Sequence, residues 1–315
     1  INTDRTVNLN ASFSQVYPPQ GNVAFLTQSG ALGLSILEYA SNLNMGISTF
    51  ASVGNRADVS PNDLLLYWEQ DAATRVILFY LESFGNPRQF ARIARRVSAA
   101  KPIVAVKGGS SVAGSRAASS HTGALATPQI ASDALFRQAG IIRVGTLEEL
   151  FNVATLLSNQ PVPAGRRVAI VTNGGGPGII AADACELQGL ALPELSPEVI
   201  EQLKPVVKRE IAFRNPLDLT AGATGEEFEA VLNIVADDKA FDAALAIFIP
   251  PTIVDQSGVE EAMRRVAPVF QRHRKPLLAC FMGQRGFKAK LGTAGKFVPC
   301  YPFPEEAVGA LARTA

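Results

Sequence analysis

The sequence predicts an α/β protein made of two doubly wound parallel-sheet domains related by an internal repeat. Three observations carry that prediction. Short, continuously apolar runs such as Val76–Leu81 alternate with segments of helical spacing, the pattern of parallel strands buried on both faces. The run Val23-Ala24-Phe25-Leu26-Thr27-Gln28-Ser29-Gly30 returns as Val168-Ala169-Ile170-Val171-Thr172-Asn173-Gly174-Gly175. Further matches follow both copies in the same order, which chance explains poorly.

Taken in order, the first run reads as a strand, followed by a helix with Leu32, Ile36, Tyr39, Ala40 and Leu43 on one apolar face. Gly46, and Gly189 in the second copy, are expected to supply left-handed helix C-caps. The turn Gly54-Asn55-Arg56-Ala57-Asp58 ends the next strand. Val76–Leu81 is matched by residues 244–249, and Lys101-Pro102-Ile103-Val104-Ala105-Val106 by Lys275-Pro276-Leu277-Leu278-Ala279-Cys280. Residues 140–144 are matched by 297–301, and each stretch runs into a helix with two acids near its start, Glu148-Glu149 and Glu305-Glu306. Each half is therefore expected to be flavodoxin-like. The expected boundaries are 20–157 for the first domain, 158–166 for a linker carrying Pro161 and Pro163, and 167–315 for the second.

Bulk properties exclude several function classes. The chain has 315 residues, 47% hydrophobic and 18% charged, with a net charge of +1 and no run of Lys or Arg. Nucleic acid and anionic membrane are thus poor candidates for a main partner. No apolar run is long enough to span a bilayer and no signal peptide opens the sequence. Cys185, Cys280 and Cys300 lie far apart, which argues against a disulfide framework or zinc site and fits a reducing cytoplasm. With His121 and His273 as its two histidines, the chain holds no histidine-rich metal centre. Beginning at Ile1, it reads as a piece of a longer polypeptide.

In doubly wound sheets, ligands sit beyond the carboxyl ends of the strands, where the crossovers diverge. That rule points to the turns after Thr27, Leu81 and Val106, and in the second domain to those at Gly174 and Pro250. In Gln28-Ser29-Gly30 and Asn173-Gly174-Gly175-Gly176-Pro177-Gly178, small residues let backbone N–H groups approach an anion at a helix start. The candidate phosphate binders are Gln28, Ser29, Gly30, Asn173, Gly174, Gly175, Gly176 and Gly178. Neither turn is a Walker loop or dinucleotide fingerprint, and the bland alternative is a tight strand-to-helix turn.

Residues 107–125 read as a long small-residue loop holding His121. A lone histidine is more often structural, but a long polar loop is a poor place for a packed one. The second copy carries Phe281-Met282-Gly283 at this place without histidine, so the chemistry is expected to be asymmetric. Glu82 ends a strand near the root of the loop. A carboxylate on one imidazole nitrogen fixes the tautomer and leaves the other nitrogen free to attack; the alternative is a solvated strand-end acid. Gly54, Asn55, Lys107 and Asn215 are weaker substrate-binding candidates. Asp218 or Thr220 reads as a helix N-cap, His273 as a solvated charge cluster, and Trp68 as one of several aromatics that could line an acyl pocket.

Thr27-Gln28-Ser29-Gly30-Ala31-Leu32, the Glu82 strand end and Ser119-Ser120-His121-Thr122-Gly123-Ala124 together resemble the ADP-forming acetyl-CoA synthetases, cousins of succinyl-CoA synthetase. Residues 173–178 with Asn215-Pro216-Leu217-Asp218-Leu219-Thr220 resemble the ligase-CoA domain of that enzyme's β subunit. The resemblance implies an acid–thiol ligase running a reversible relay. Phosphate attacks an acyl-CoA, the acyl phosphate passes its phosphoryl group to a histidine, and the phosphohistidine phosphorylates ADP. It makes His121 the nucleophile and Glu82 its orienting partner, with the helix starts at Ser29-Gly30 and Gly175-Gly176 holding phosphoryl oxygens. It also implies coenzyme A, ADP or ATP with Mg2+, and phosphate as substrates. A CoA-binding domain, with residues 1–19 as its tail, and an ATP-grasp domain or subunit would bind most of these outside this chain. The expected whole is a cytoplasmic oligomer acting on a small carboxylate or acyl-CoA. The competing reading is a non-catalytic ligand-sensing module fused to a protein acetyltransferase; the presence of His121 and Glu82 favours the enzyme.

Overall fold

In the computed structural model, which describes residues 1–122, 128–250, 256–283, 291–293 and 296–315, the apolar runs form parallel strands in two units, Ile1–Ala154 and Thr155–Ala315. The first unit runs β1 (Gln20–Thr27), α1 (Gly30–Asn42), β2 (Ile47–Ser52), α2 (Pro61–Gln70), β3 (Val76–Leu81), α3 (Pro87–Ser98), β4 (Ile103–Lys107), α4 (Val112–Thr122), α5 (Gln129–Gln138), β5 (Ile142–Val144) and the start of α6 (Leu147–Asn159). The second runs β6 (Val168–Thr172), α7 (Gly175–Leu187), α8 (Pro197–Leu203), β7 (Leu217–Asp218), α9 (Gly225–Asp237), β8 (Ala243–Phe248), α10 (Gln256–Arg272), β9 (Leu277–Phe281), β10 (Leu291–Thr293), β11 (Lys296–Val298), β12 (Cys300–Tyr301) and α11 (Pro304–Thr314).

The two sheets have one topology. The first is ordered β2-β1-β3-β4-β5 and the second β12-β9-β8-β6-β7, so both read 2-1-3-4-5 from one edge. All pairs in them are parallel, and the crossovers diverge between the first and third strands. The second unit adds an antiparallel β10–β11 hairpin. Burial explains the apolar strands: every residue of β4, β6, β8 and β9 is buried. In the first unit Trp68, Phe79 and Phe90 form the centre of a core between the sheet and α2, α3 and α5. Trp68 is fully buried in that core, so it lines no acyl pocket.

Local chemistry sets the helix ends. Ser60 and Asp63 form a capping box ahead of α2, with Pro61 at its first turn. Thr224 and Glu227 do the same for α9, so the N-cap expected at Asp218 or Thr220 lies at Thr224, where Thr-x-x-Glu satisfies two orphan N–H groups. The repeated Lys-Pro pairs have one function. Lys101 Nζ donates to Trp68 O and Asp71 O at 2.6 and 2.7 Å, and Lys275 Nζ to Ala236 O and Asp238 O at 2.7 and 2.6 Å. Each lysine thus closes the carbonyl end of the helix on one side of its sheet.

Several expectations are corrected. Gly46 is not a C-cap: Asn44 takes the left-handed backbone at φ 51°, and Gly46 is small because its Cβ would fall 2.6 Å from the Gly21 Cα. Gly189 does adopt the left-handed form, at φ 71°. The buried face of α1 is Gly33, Ile36, Leu37 and Ala40, while Tyr39 and Leu43 are exposed. The supposed loop around His121 is helical over Val112–Thr122, because Ala113, Ala117 and Ala118 outweigh its glycine and Ser111 Oγ accepts the Gly114 N–H at 3.0 Å. Residues 1–9 include an edge contact to β2, where Asn2 bridges Thr49 and Thr3 N donates to Ser48 O at 3.1 Å. Gln160, in the expected linker, is buried, donating to Phe297 O and accepting from Leu277 N.

The third strand of the repeat is shifted by one residue from its sequence alignment, while the fourth and fifth keep it. Val23 pairs with Val76 while Val168 pairs with Ala243, so Val76 corresponds to Ala243 and Glu82 to Ile249. A one-residue change of register decides which side chains face which side.

Candidate functional site

The strand-to-helix turns of the two units are built alike. Thr27 Oγ1 donates to Ser29 O and accepts from Ser29 N, both at 3.0 Å; Thr172 Oγ1 does the same with Gly174, at 3.0 and 3.1 Å. The amides bridge to the third strand. Gln28 Oε1 accepts the N–H groups of Glu82 and Ser83 at 2.5 and 2.9 Å, and its Nε2 donates to Ser83 O at 2.9 Å. Asn173 Oδ1 accepts from Ile249 N and its Nδ2 donates to Ile249 O, both at 2.8 Å. Both side chains are buried. These amides therefore hold the backbone at the switch point rather than presenting themselves to an anion.

The glycines divide in the same way. Gly178 N donates to Gly174 O inside α7, and a Cβ there would meet Thr172 Cγ2 at 3.1 Å, so this glycine serves packing. Gly30 and Gly175 open their helices, where the first-turn N–H groups have no intrahelical acceptor. Ser29 is the N-cap of α1, its side chain accepting from Leu32 N at 3.4 Å; Gly174 is the N-cap of α7 and Gly176 lies in its first turn. The neighbours differ in charge: a Cβ on Gly30 would meet the Ser52 hydroxyl, whereas one on Gly175 would meet the Asp218 carboxylate at 3.3 Å.

Glu82 is half-buried just beyond β3, with its backbone fixed by Gln28. Lys107 ends β4 opposite Leu81 and is 7% exposed, its ammonium donating to Gly108 O at 2.6 Å. Burial pulls the Lys107 pKa below the ordinary lysine value, with Glu82 acting against that shift and Arg143 adding to it. Burial pushes the Tyr80 hydroxyl up, and Glu82 pushes it the same way. A Cβ on Gly108 would meet Tyr80 Oη at 2.7 Å and Glu82 Cγ at 3.7 Å. Tyr80, Glu82, Lys107 and Gly108 thus gather where the chain leaves β4 toward His121. The His121 backbone lies in α4, while its side chain, like residues 123–127, is outside the described residues.

Asn215 is placed elsewhere. It is buried, its Nδ2 donating to Val168 O and Pro193 O at 2.8 and 3.1 Å and its Oδ1 accepting from Ile170 N at 2.9 Å. That is the amino-terminal end of β6, opposite the ligand edge, and the side chain acts as a pairing partner for the strand. Gly54, at φ 47°, and Asn55 are exposed in the turn after β2.

Arg56 and Thr220 take a left-handed backbone that the sequence did not announce. Arg56 holds the left-handed backbone at φ 60° and donates to Ser83 O at 3.3 Å, bringing a guanidinium to the Glu82–Ser83 backbone. Thr220 is β-branched at φ 62°, a conformation held by Asp218 Oδ1 accepting its N–H at 2.8 Å. A non-glycine residue in that region is invisible to pattern reading, since composition favours glycine there.

Fold and site define a class of protein: paired flavodoxin-type domains with a polar switch-point site in the first. Residues 20–157 match the succinyl-CoA ligase like flavodoxin domain and residues 168–304 the ligase-CoA domain. The α subunit of ADP-forming acetate–CoA ligase II of Pyrococcus furiosus is 38% identical, over 96% of this chain and 66% of that subunit. ADP-forming acetate–CoA ligase I of Archaeoglobus fulgidus is 40% identical, over 90% of this chain and 39% of that protein. A solved structure of the dinucleotide forming acetyl-coenzyme A synthetase 1 of Ca. Korarchaeum cryptofilum, in complex with phosphate and ADP, superposes with a TM-score of 0.89 at 31% identity, covering 98% of this chain and 67% of that one. The chain belongs to the ADP-forming acetyl-CoA synthetase family, and it spans about two thirds or less of the curated relatives named here. Among the described residues, no group of three or more His, Cys, Asp or Glu is arranged to hold a metal ion, and no helix is long and apolar enough to cross a membrane.

Proposed function

We propose that this chain supplies the phosphohistidine and ligase-CoA parts of a nucleoside-diphosphate-forming acyl-CoA synthetase, with residues 20–157 and 167–315 as the two domains, 158–166 joining them and 1–19 continuing from a CoA-binding domain. The observation that carries the reading is Glu82, held by Gln28 at the switch point beside the root of the segment that bears His121.

One ring nitrogen of His121 attacks the phosphorus of an acyl phosphate. The P–O bond breaks, a P–N bond forms, and the carboxylate departs with the electron pair. The other ring N–H stays on the imidazole and donates to Glu82, which stabilises the positive charge that phosphorylation creates there. At the Ser29-Gly30 start of α1, where Thr27 Oγ1 already holds the Ser29 N–H, the Gly30 and Ala31 N–H groups are the ones offered to the phosphoryl oxygens, the kind of fixed donor that phosphoryl transfer requires. The helix start at Gly174–Gly176 is a second anion-holding candidate, tempered by the Asp218 carboxylate beside it. Gly54 and Asn55 are candidates for substrate contact.

Coenzyme A, ADP or ATP with Mg2+, and phosphate are the proposed substrates of the whole enzyme, acting on a small carboxylate or its acyl-CoA. An ATP-grasp domain or subunit and the CoA-binding domain are the proposed partners, in a cytoplasmic oligomer. The free cysteines fit that compartment.

The test is intact-mass analysis after incubation with Mg-ATP and the ATP-grasp part of an ADP-forming acetate–CoA ligase. An acid-labile gain of one phosphate, absent from His121→Ala, is expected. An unchanged mass with a demonstrably active partner rejects the relay and favours a ligand-sensing module.

A further inference from the structure

The internal repeat separates residues that the fold needs from residues that one unit alone uses. Positions serving the sheet recur in both units: Thr27 with Thr172, Gln28 with Asn173, and Lys101 with Lys275. The carboxyl edge between the third and fourth strands does not recur. By register and by the amide bridges, Tyr80, Glu82, Lys107 and Arg143 stand where the second unit has Ile247, Ile249, Phe281 and Cys300. A sheet of this order therefore forms with none of the four polar side chains.

Lys107 is the most telling of them. Its counterpart Phe281 is a core residue, 3% exposed, whereas Lys107 buries an ammonium at the same place. Burying that charge is unfavourable; Glu82 offsets part of the cost and Arg143, itself ion-paired to Asp133, adds a like charge, so on balance the lysine opposes stability where an apolar residue would favour it. A buried charge that the fold does not need, in a cluster of titratable groups at the ligand edge, marks a working group. Its hydrogen bond to Gly108 O falls at the first residue after β4, and Ser110 Oγ closes back onto Lys107 O at 2.9 Å.

We propose that Lys107 is a positioning residue for phosphoryl transfer to His121: its ammonium fixes Gly108, where the histidine segment leaves β4, and supplies the fixed positive charge against which Glu82 and the incoming phosphoryl group are held. This rests on the relay reading above. The bonds made and broken are those of that relay, and the lysine keeps its proton throughout.

The experiment follows the acid-labile phosphate gained by the chain from acetyl phosphate, across roughly pH 6 to 10 to span the lowered lysine pKa. It compares the wild type with K107M, K107R and H121A. The groups facing Lys107 are Glu82 and Arg143, with Tyr80 beside Glu82. The wild-type rate falls as pH rises through the Lys107 pKa, because the ammonium is lost. K107R keeps its charge over the range, so it retains activity without that alkaline fall. K107M phosphorylates about a hundredfold more slowly at neutral pH, while its cooperative unfolding stays at or above wild-type stability. A K107M protein phosphorylated at the wild-type rate overturns the proposal. So does a K107R profile that keeps the wild-type alkaline fall, an arm that decides the matter even where K107M does not fold. A wild type that gains no H121A-sensitive phosphate overturns the relay itself, and this proposal with it.

Discussion

Glu82 and Ile249 hold the same place in the two sheets: each follows the third strand, and each has its backbone N–H accepted by the side-chain amide of the first strand's turn, Gln28 or Asn173. One scaffold thus presents a carboxylate in the first unit and an apolar side chain in the second. The shared amide bridge is the device of the fold. The unshared side chain is what sets the first unit apart.

That division predicts the effect of removing the bridge. Gln28→Ala leaves the Glu82 and Ser83 N–H groups without their partner, while Ser83 O keeps the Arg56 guanidinium, and should lower the stability of the first unit by about 2–3 kcal/mol. Denaturant unfolding measures the loss. His121 phosphorylation should slow as well, because Glu82 loses its fixed backbone; an unaffected rate would show that the bridge does not position the acid.

Asn215→Ala separates structure from substrate binding. Three hydrogen bonds disappear, two buried ones to Val168 and Ile170 and a part-buried one to Pro193, so a destabilisation of about 2–4 kcal/mol is expected. Phosphohistidine formation by the folded fraction should be unchanged. A folded Asn215→Ala protein with selectively weakened substrate binding would restore the residue as a contact.

Thr220 carries its β-branch at φ 62°. Thr220→Gly relieves that strain while making the unfolded chain freer, and the net gain should be roughly 1 kcal/mol. Thermal unfolding reads it directly, and a lowered midpoint would mean that the side chain contributes more than its strain costs.

Asp242 ties the starts of β6 and β8 together, accepting from Arg167 N, Nε and Nη2 at 3.0, 2.9 and 2.7 Å. Those hydrogen bonds, Arg167's side chain foremost, hold its pKa below the usual carboxylate value. A depressed folded pKa contributes stability that is full above the unfolded value, near about 3.9, and is lost as pH falls through the folded one. Asp242→Asn should therefore cost about 1–2 kcal/mol at neutral pH, Arg167 being half exposed. Unfolding curves should show that difference shrinking below about pH 4. A difference that stays constant into acid would rule the ion pair out as its source.

Much of this molecule was legible in the residues alone. Continuous apolar runs such as 103–106 and 277–280 announced buried parallel strands, and the recurring Thr-amide-small-Gly turn announced two copies of one fold. Gly189 was a legible C-cap because its left-handed backbone is a local property. Gly46 misled, since Asn44 also tolerates that backbone and the need at Gly46 is close approach to a distant segment. Val112–Thr122 misled in the opposite direction, its glycine and serines hiding a helix capped by Ser111.

By itself the sequence determined the strand-and-helix alternation, the doubling of the domain and the identity of His121 and Glu82 as chemically promising groups, because these follow from periodicity and residue type along the chain. Only the tertiary structure decided that Gln28, Asn173 and Asn215 spend their amides on backbone groups, that Lys107 takes the place of a core phenylalanine, and that the repeat aligns Glu82 with Ile249. Those facts depend on hydrogen-bond register between strands far apart in sequence, where a single-residue shift exchanges a core position for one at the ligand edge.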